Sequence, residues 1–251
     1  MKILCVSDYI DPLIYSTGAK KNFPDVDLIL CAGDLPMDYI DFIVSVFNKP
    51  TYFVFGNHDL KEFKFYHNAN SSRDSGIGKA AEDFSQMEQN SGHGAVYAGF
   101  KVIASSSIKI KHPARKKPTP LLIAGASGSR NYNGGLCQYT DAQMKVHLIR
   151  MIPRLIFNKI KYGRYLDIFL THATPFHFHD MDDPCHVGFP SFNWFLKLFR
   201  PTLMVHGHVH LYDQRTERVG KYLDTTVANA YAHHVMDFAP DKIDPNMEKK
   251  C

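Results

Sequence analysis

Lys2-Ile3-Leu4-Cys5-Val6-Ser7-Asp8 opens on a short apolar run that ends in a serine and an aspartate. The design recurs twice: Leu28-Ile29-Leu30-Cys31 leads to Gly33-Asp34, and Thr51-Tyr52-Phe53-Val54-Phe55 leads to Gly56-Asn57-His58-Asp59. Between the second and third runs, Met37–Phe47 carries its apolar residues at helical spacing. Short, continuous apolar runs suit strands buried on both faces, and the strand–helix–strand rhythm predicts an α/β fold. Open α/β sheets bind ligands beyond the carboxyl ends of their strands, which is where each polar cluster falls.

The last third repeats the pattern. Asp167–Thr171 is followed by His172, and Leu203–Val205 by His206-Gly207-His208-Val209-His210, with a helical Ser191–Phe199 between them. Thr140 with Gln143 makes a capping box for a helix whose inner face is Met144, Leu148, Met151 and Leu155, with Pro153 as an expected kink. Ala95–Tyr97, Lys101–Ile110 and Leu121–Ala124 read as strands, and the basic stretch Lys111–Pro118 among them as a solvated loop. Leu211–Arg218 and Lys221–Val227 flank Val219-Gly220 as a hairpin, and His233–Phe238 adds a strand before a polar tail from about residue 239. Leu60–Gly94 is polar and is expected to form long connections with short helices such as Lys79–Met87. The whole chain, 1–251, is read as one domain.

Composition narrows the classes. Hydrophobic residues at 45% and charged residues at 22% are ordinary for a globular protein. No apolar run approaches the roughly 20 residues of a membrane span, and the apolar start is too short for a signal peptide, so a soluble, cytoplasmic protein with no membrane partner is expected. A net charge of +4 gives no general field for nucleic acid, which is not expected as a partner. The five scattered cysteines suggest neither a disulfide framework nor a zinc ribbon. Composition carries no signal for an oligomeric state.

Carboxylate and amide oxygens together with imidazoles suit Mn²⁺, Fe or Zn²⁺. Asp8, Asp34, Asn57, His172, His208 and His210 all follow expected strands, so convergence of the strand ends would gather them around one crevice. Singly each has an ordinary explanation in turn formation or hydrogen bonding; it is the shared position that points to a metal site.

In their order, Ser7-Asp8, Gly33-Asp34, Gly56-Asn57-His58-Asp59, Thr171-His172 and Gly207-His208-Val209-His210 resemble the motifs of the calcineurin-like metallophosphoesterase superfamily, over Lys2 to about Phe238. The resemblance implies a four-layer α/β/β/α sandwich with two central mixed β-sheets and two divalent metal ions between the strand ends. It implies Asp34 as a bridging ligand, Asp8 and His210 on the first ion, and Asn57, His172 and His208 on the second. His58 would stand beside the metals as a proton donor or phosphate contact, oriented by Asp59. The implied activity is hydrolysis of a small phosphate ester or nucleotide, most simply a diester, by a metal-bound hydroxide. Two ions about 3.5–4 Å apart neutralise the ester and align an in-line attack.

The chain departs from the family pattern at Ile10. The first motif usually reads Asp-x-His, and here Asp8-Tyr9-Ile10 lacks the imidazole. Either Asp11 or water completes a weakened first site, or one ion suffices. Bacterial phosphodiesterase-type branches look similar in lacking this histidine, and their Gly-rich segment resembles Gly128–Gly135, where Arg130 is a candidate substrate contact. His186, within the ligand-rich 177–186 stretch, is another. The arginines of the protein Ser/Thr phosphatase branch are not matched by Pro36–Tyr39 or Phe55, which disfavours a phosphoprotein substrate. The rival expectation is a non-catalytic interaction scaffold on the same fold.

Overall fold

The computed structural model describes residues 1–58, 60–63, 66, 94–112, 115–213 and 217–239. Expectations for Asp59, for a Lys79–Met87 helix and for a tail beyond 239 lie outside the described residues. The first half runs β1 (Lys2–Ser7), α1 (Ala19–Asn22), β2 (Leu28–Cys31), α2 (Met37–Phe47), β3 (Thr51–Phe53), β4 (Ala95–Tyr97), β5 (Val102–His112) and β6 (Arg115–Ala126). The short pair β7 (Ser129–Arg130) and β8 (Gln138–Tyr139) leads into the long helix α3 (Asp141–Tyr162). Then come β9 (Ile168–Thr171), α4 (Pro190–Phe199), β10 (Leu203–His206), β11 (Val219–Tyr222), β12 (Thr225–Asn229) and β13 (Ala232–Asp237).

Two mixed sheets form, in the orders β13-β1-β2-β3-β4 and β11-β12-β10-β9-β6-β5. The inner strands of both are parallel, and the antiparallel partners are β13 beside β1, β11 beside β12 and β5 beside β6. Successive residues of each run point to opposite faces, so two apolar layers are filled at once. Ile3, Cys5, Leu28 and Leu30 meet Ile123, Ile168, Leu170 and Val205 between the sheets. Leu4, Val6, Ile29 and Cys31 turn outward onto Ile40, Ile43 and Phe47 of α2. On the other side Leu122, Phe169 and Met204 pack on Met144, Leu148, Leu155, Phe192 and Phe195 of α3 and α4. The result is the four-layer α/β/β/α sandwich, and the continuous apolar runs exist because the central strands of each sheet are buried on both faces.

The capping box on α3 forms as its sequence dictates: Thr140 Oγ1 accepts from Gln143 N at 3.3 Å, and Gln143 Oε1 accepts from Thr140 N at 2.8 Å. Pro153 sits on the exposed side of the helix, where an unpaired carbonyl can reach water.

Two local expectations are corrected. The described residues of Lys111–Pro118 are strand and not loop: β5 continues to His112 and β6 starts at Arg115, with Lys109 opposite Pro120 and His112 opposite Arg115. Pro118 and Pro120 are tolerated because β9 joins β6 only from Ile123, so this half of β6 has β5 as its one sheet neighbour. The second correction concerns the hairpin, whose turn lies at Leu223-Asp224, not at Val219-Gly220. Tyr222 pairs with Thr225, and Leu223 takes the left-handed φ of 53°. Gly220 is instead a strand residue, and a Cβ there would lie 2.8 Å from Phe178 Cζ.

Asp167, just before β9, is buried with Arg164: Nε and Nη2 of the arginine reach its two carboxylate oxygens at 2.5 and 2.9 Å, and Leu122 N donates to the same carboxylate at 2.7 Å. Arg164 also donates to Thr119 Oγ1 and Pro120 O, so one guanidinium ties β6 to the start of β9. Arg164→Ala leaves a buried carboxylate without its counter-charge and is expected to cost about 3–5 kcal/mol, read as a lowered denaturant midpoint.

Candidate metal centre

Asp8 follows β1, Asp34 follows β2, Asn57 and His58 follow β3, His172 follows β9, and His208 and His210 follow β10. Both sheets thus deliver polar residues to one edge. Asp8, Asp34 and His208 adopt left-handed φ values of 64°, 50° and 68°, so the chain turns sharply as each strand ends. Side-chain hydrogen bonding lets Asp adopt this region at modest cost.

The tightest group is Asp34, His172 and His208, whose ligand atoms lie within 4.8 Å of one another. His172 is fully buried, and its Nδ1–H donates to Ala32 O at 2.9 Å. That bond fixes the ring so that Nε2 faces Asn57 Oδ1 at 3.2 Å and Asp34 Oδ2 at 3.4 Å. His208 Nε2–H donates to Cys185 O at 2.7 Å, which leaves Nδ1 as its lone pair. Main-chain carbonyls holding the far nitrogen are the usual way a ligating imidazole is oriented.

The donor set fits a cation. In neutral His172 the Nε2 lone pair, the Asn57 carbonyl and the Asp34 carboxylate are acceptors turned on one another, an arrangement that needs a positive charge between them. The protonation energetics fit that demand: without a metal, a proton on His172 Nε2 would supply the charge. Burial would lower the His172 pKa, but Asp34 outweighs it and pushes the value up to about 9. Burial alone would raise Asp34, yet His172 and the His58 N–H hold it well below the usual carboxylate range. Burial pushes His208 down to about 3, so it stays neutral and able to ligate.

Asp8 stands next to this group. Its side chain is 1% exposed and accepts from His208 N at 3.1 and 3.0 Å and from Ser7 Oγ. Burial raises its pKa. His210 is looser: its ring is 37% exposed, its Nε2 lies 3.8 Å from Asp8 Oδ1, and its Nδ1 shares a 2.6 Å hydrogen bond with Tyr212 Oη. The ring stacks on Tyr231 at 4.8 Å. Ile10 is 42% exposed beside this half of the site. Asp11 does not turn toward it: its carboxylate accepts from His233 Nδ1 at 2.5 Å and from Leu13 N at 2.8 Å.

His58 donates its main-chain N–H to Asp34 Oδ1 at 2.8 Å, and the residue is exposed at the mouth. The His186 ring lies 5.0 Å from that of His208 and is held by the Asp183 carboxylate at 2.9 Å. Arg130 Nη1 donates to Gly188 O at 3.3 Å and its guanidinium lies over the Phe189 ring, so it braces the loop before α4.

Sequence reasoning missed Tyr132, whose hydroxyl accepts from Asn57 Nδ2 at 3.3 Å and orients the amide oxygen toward His172. Its only signal was membership of the Gly-rich stretch. Also missed were the tyrosines that border His210, and an imidazole pair in which His206 is buried and His179 half-buried. There His206 Nδ1 donates to Gly207 O, and His179 Nδ1 donates to His206 Nε2, both at 3.0 Å.

The close approach of the strand ends requires Gly56. A Cβ there would overlap Asp34 Oδ1 and lie 2.7 Å from His172 Cε1. Gly56→Ala is therefore expected to displace both side chains and cost roughly 1–3 kcal/mol, checked by thermal unfolding, with a matching loss of metal affinity.

Comparison with known proteins agrees with this arrangement. The family model described as calcineurin-like phosphoesterase matches residues 1–212. One crystal structure aligns with a TM-score of 0.57 at 11% identity, over 94% of this chain and 94% of its own. The crystal structure of TT1561 of Thermus thermophilus aligns with a TM-score of 0.53 at 14% identity, over 92% of this chain and 88% of its own. These identities carry the fold alone. A comparison with curated protein sequences finds no match. With more than four-fifths of its length matched by the family model and the motif residues gathered at one sheet edge, the chain belongs to the calcineurin-like phosphoesterase family.

Proposed function

We propose that this protein is a metal-dependent phosphodiesterase that hydrolyses a small phosphate ester or nucleotide. The observation that carries the reading is the gathering of Asp34, His172 and His208, whose ligand atoms lie within 4.8 Å of one another, with Asn57 Oδ1 3.2 Å from His172 Nε2. Asp34, Asn57, His172 and His208 would hold the stronger of two ions, with Mn²⁺, Fe or Zn²⁺ the suitable metals. Asp34 would also serve the weaker site with Asp8 and His210. A bound divalent ion supplies Lewis acidity, neutralising the phosphoryl group and lowering the pKa of a water near it.

The protein's own groups do the rest. Asp34 keeps its negative charge in a buried pocket, which favours cations over neutral ligands, and Asp8 adds a second carboxyl group beside it. His58, which is exposed, is the proposed proton donor to the departing oxygen, and Asp59 is its proposed orienting partner. His186 and Arg130 are the proposed contacts to the ester on the side of the 177–189 loop. Tyr212 and Tyr231 give the organic half of the ester an aromatic wall next to His210.

A second reading rests on Ile10: with Asp11 bound to His233, the missing imidazole has no substitute from that loop, as a non-catalytic metal-binding scaffold would permit. Hydrolysis of bis(p-nitrophenyl) phosphate and p-nitrophenyl phosphate with Mn²⁺ separates the two. Turnover favouring the diester supports the phosphodiesterase; metal bound without turnover of either ester supports the scaffold.

A further inference from the structure

Helix α3 has two apolar faces. The inner one, Met144, Leu148, Met151 and Leu155, is buried on the sheet. At 3.6 residues per turn, Val146, Ile149, Ile156 and Phe157 fall within an arc of about 100° on the opposite side. Each of the four is between 43% and 47% exposed. A helix lying on a core normally turns a polar face outward, so this second stripe is not accounted for by the fold.

The stripe has charged borders. Lys145 and Lys159 flank it on one side, and Arg150 and Arg154 on the other. Among the described residues none of these four cations is in an ion pair. After Asp141 at its first position the helix contains no acidic residue. Arg154 lies over the Phe157 ring at 4.9 Å, and Lys145 lies 5.4 Å from the ring of Trp194 on the neighbouring α4, where Leu198 is also exposed. Apolar side chains along the centre with unpaired Lys and Arg on both edges are what an interfacial helix uses: the stripe enters the acyl boundary while the long cationic side chains reach the headgroup phosphates.

We propose that the outer face of α3 docks the protein on an anionic phospholipid surface, with the helix parallel to the membrane plane. Charge complementarity selects this occupant. A second copy of the chain would bring the same unpaired cations against one another, whereas anionic headgroups neutralise them along the whole helix. No helix among the described residues is long and apolar enough to cross a membrane, so the contact is peripheral. The expectation of no membrane partner rested on the lack of a span and on the modest net charge, and a surface contact depends on neither. The proposal is independent of the phosphoesterase reading.

The test is co-sedimentation of the full chain with vesicles of phosphatidylcholine alone or mixed with phosphatidylglycerol, at near-physiological salt. Binding to the anionic vesicles is expected, at least tenfold stronger than to the neutral ones and weakened by added salt. Ile149→Ser/Ile156→Ser and, separately, Lys145→Glu/Arg154→Glu should each reduce it tenfold or more. All four positions are exposed, so circular dichroism and metal content should stay at wild-type values. Failure of the wild type to bind anionic vesicles, equal binding to both compositions, or binding that survives both double substitutions would overturn the proposal. So would a wild-type dimer in sedimentation that the serine variant dissociates without any vesicle binding.

Discussion

Asp34→Asn is expected to lower phosphodiester hydrolysis by roughly a thousandfold, because several kcal/mol of charge stabilisation would disappear at the carboxylate that His172 and the His58 N–H face and that would hold the proposed metal. The asparagine keeps the size of the side chain and can still accept from His58 N, so the turn after β2 should survive. What changes is the charge. Burial disfavours Asp34 ionisation, and only its cationic surroundings keep it ionised; an amide offers them nothing of that strength. Metal content should fall together with activity. Retained activity in the metal-depleted variant would remove Asp34 from the centre.

His58→Ala should behave differently. Its structural contribution to the site is the main-chain N–H on Asp34, which alanine keeps, so metal binding should be close to wild type. Loss of a positioned proton donor costs roughly 10²–10⁴-fold in rate. The loss should be smallest for esters of p-nitrophenol, whose oxygen departs without a proton, and largest for alkyl esters. A uniform loss across leaving groups would assign His58 to binding the phosphate instead of to proton transfer.

Much of the fold was legible because its strands are buried on both faces. Continuous runs such as Leu28–Cys31 admit few other readings, and their shared polar endings mark one sheet edge. The errors arose where a local preference was overruled by tertiary contact. Gly220 attracted the hairpin turn because glycine favours turns, but it serves the strand against Phe178, and Leu223 accepts the left-handed conformation instead. The prolines of Lys111–Pro118 suggested a loop, yet a strand with a single neighbour accommodates Pro118.

The candidate cluster of Asp34, His172 and His208 could be reached from residue type and order, whereas the groups that orient it could not. Ala32 O, Cys185 O and Tyr132 act through positions that only folding brings near His172, His208 and Asn57. Asp11 shows the converse. Its place in the chain beside Ile10 suggested a substitute ligand, but pairing of β1 with β13 brings His233 within 2.5 Å and engages the carboxylate there. The outward stripe of α3 was also visible in the sequence, and it went unread because the inner stripe already satisfied the amphipathic pattern.

Calorimetric titration of the metal-free protein with Mn²⁺, wild type against His172→Ala, tests the central claim most directly. A centre built on the convergence of Asp34, Asn57, His172 and His208 predicts saturable binding in the wild type and, with the buried imidazole removed, affinity weaker by about 100-fold or more. Absence of binding to the wild type, or equal affinity in the two proteins, would contradict it.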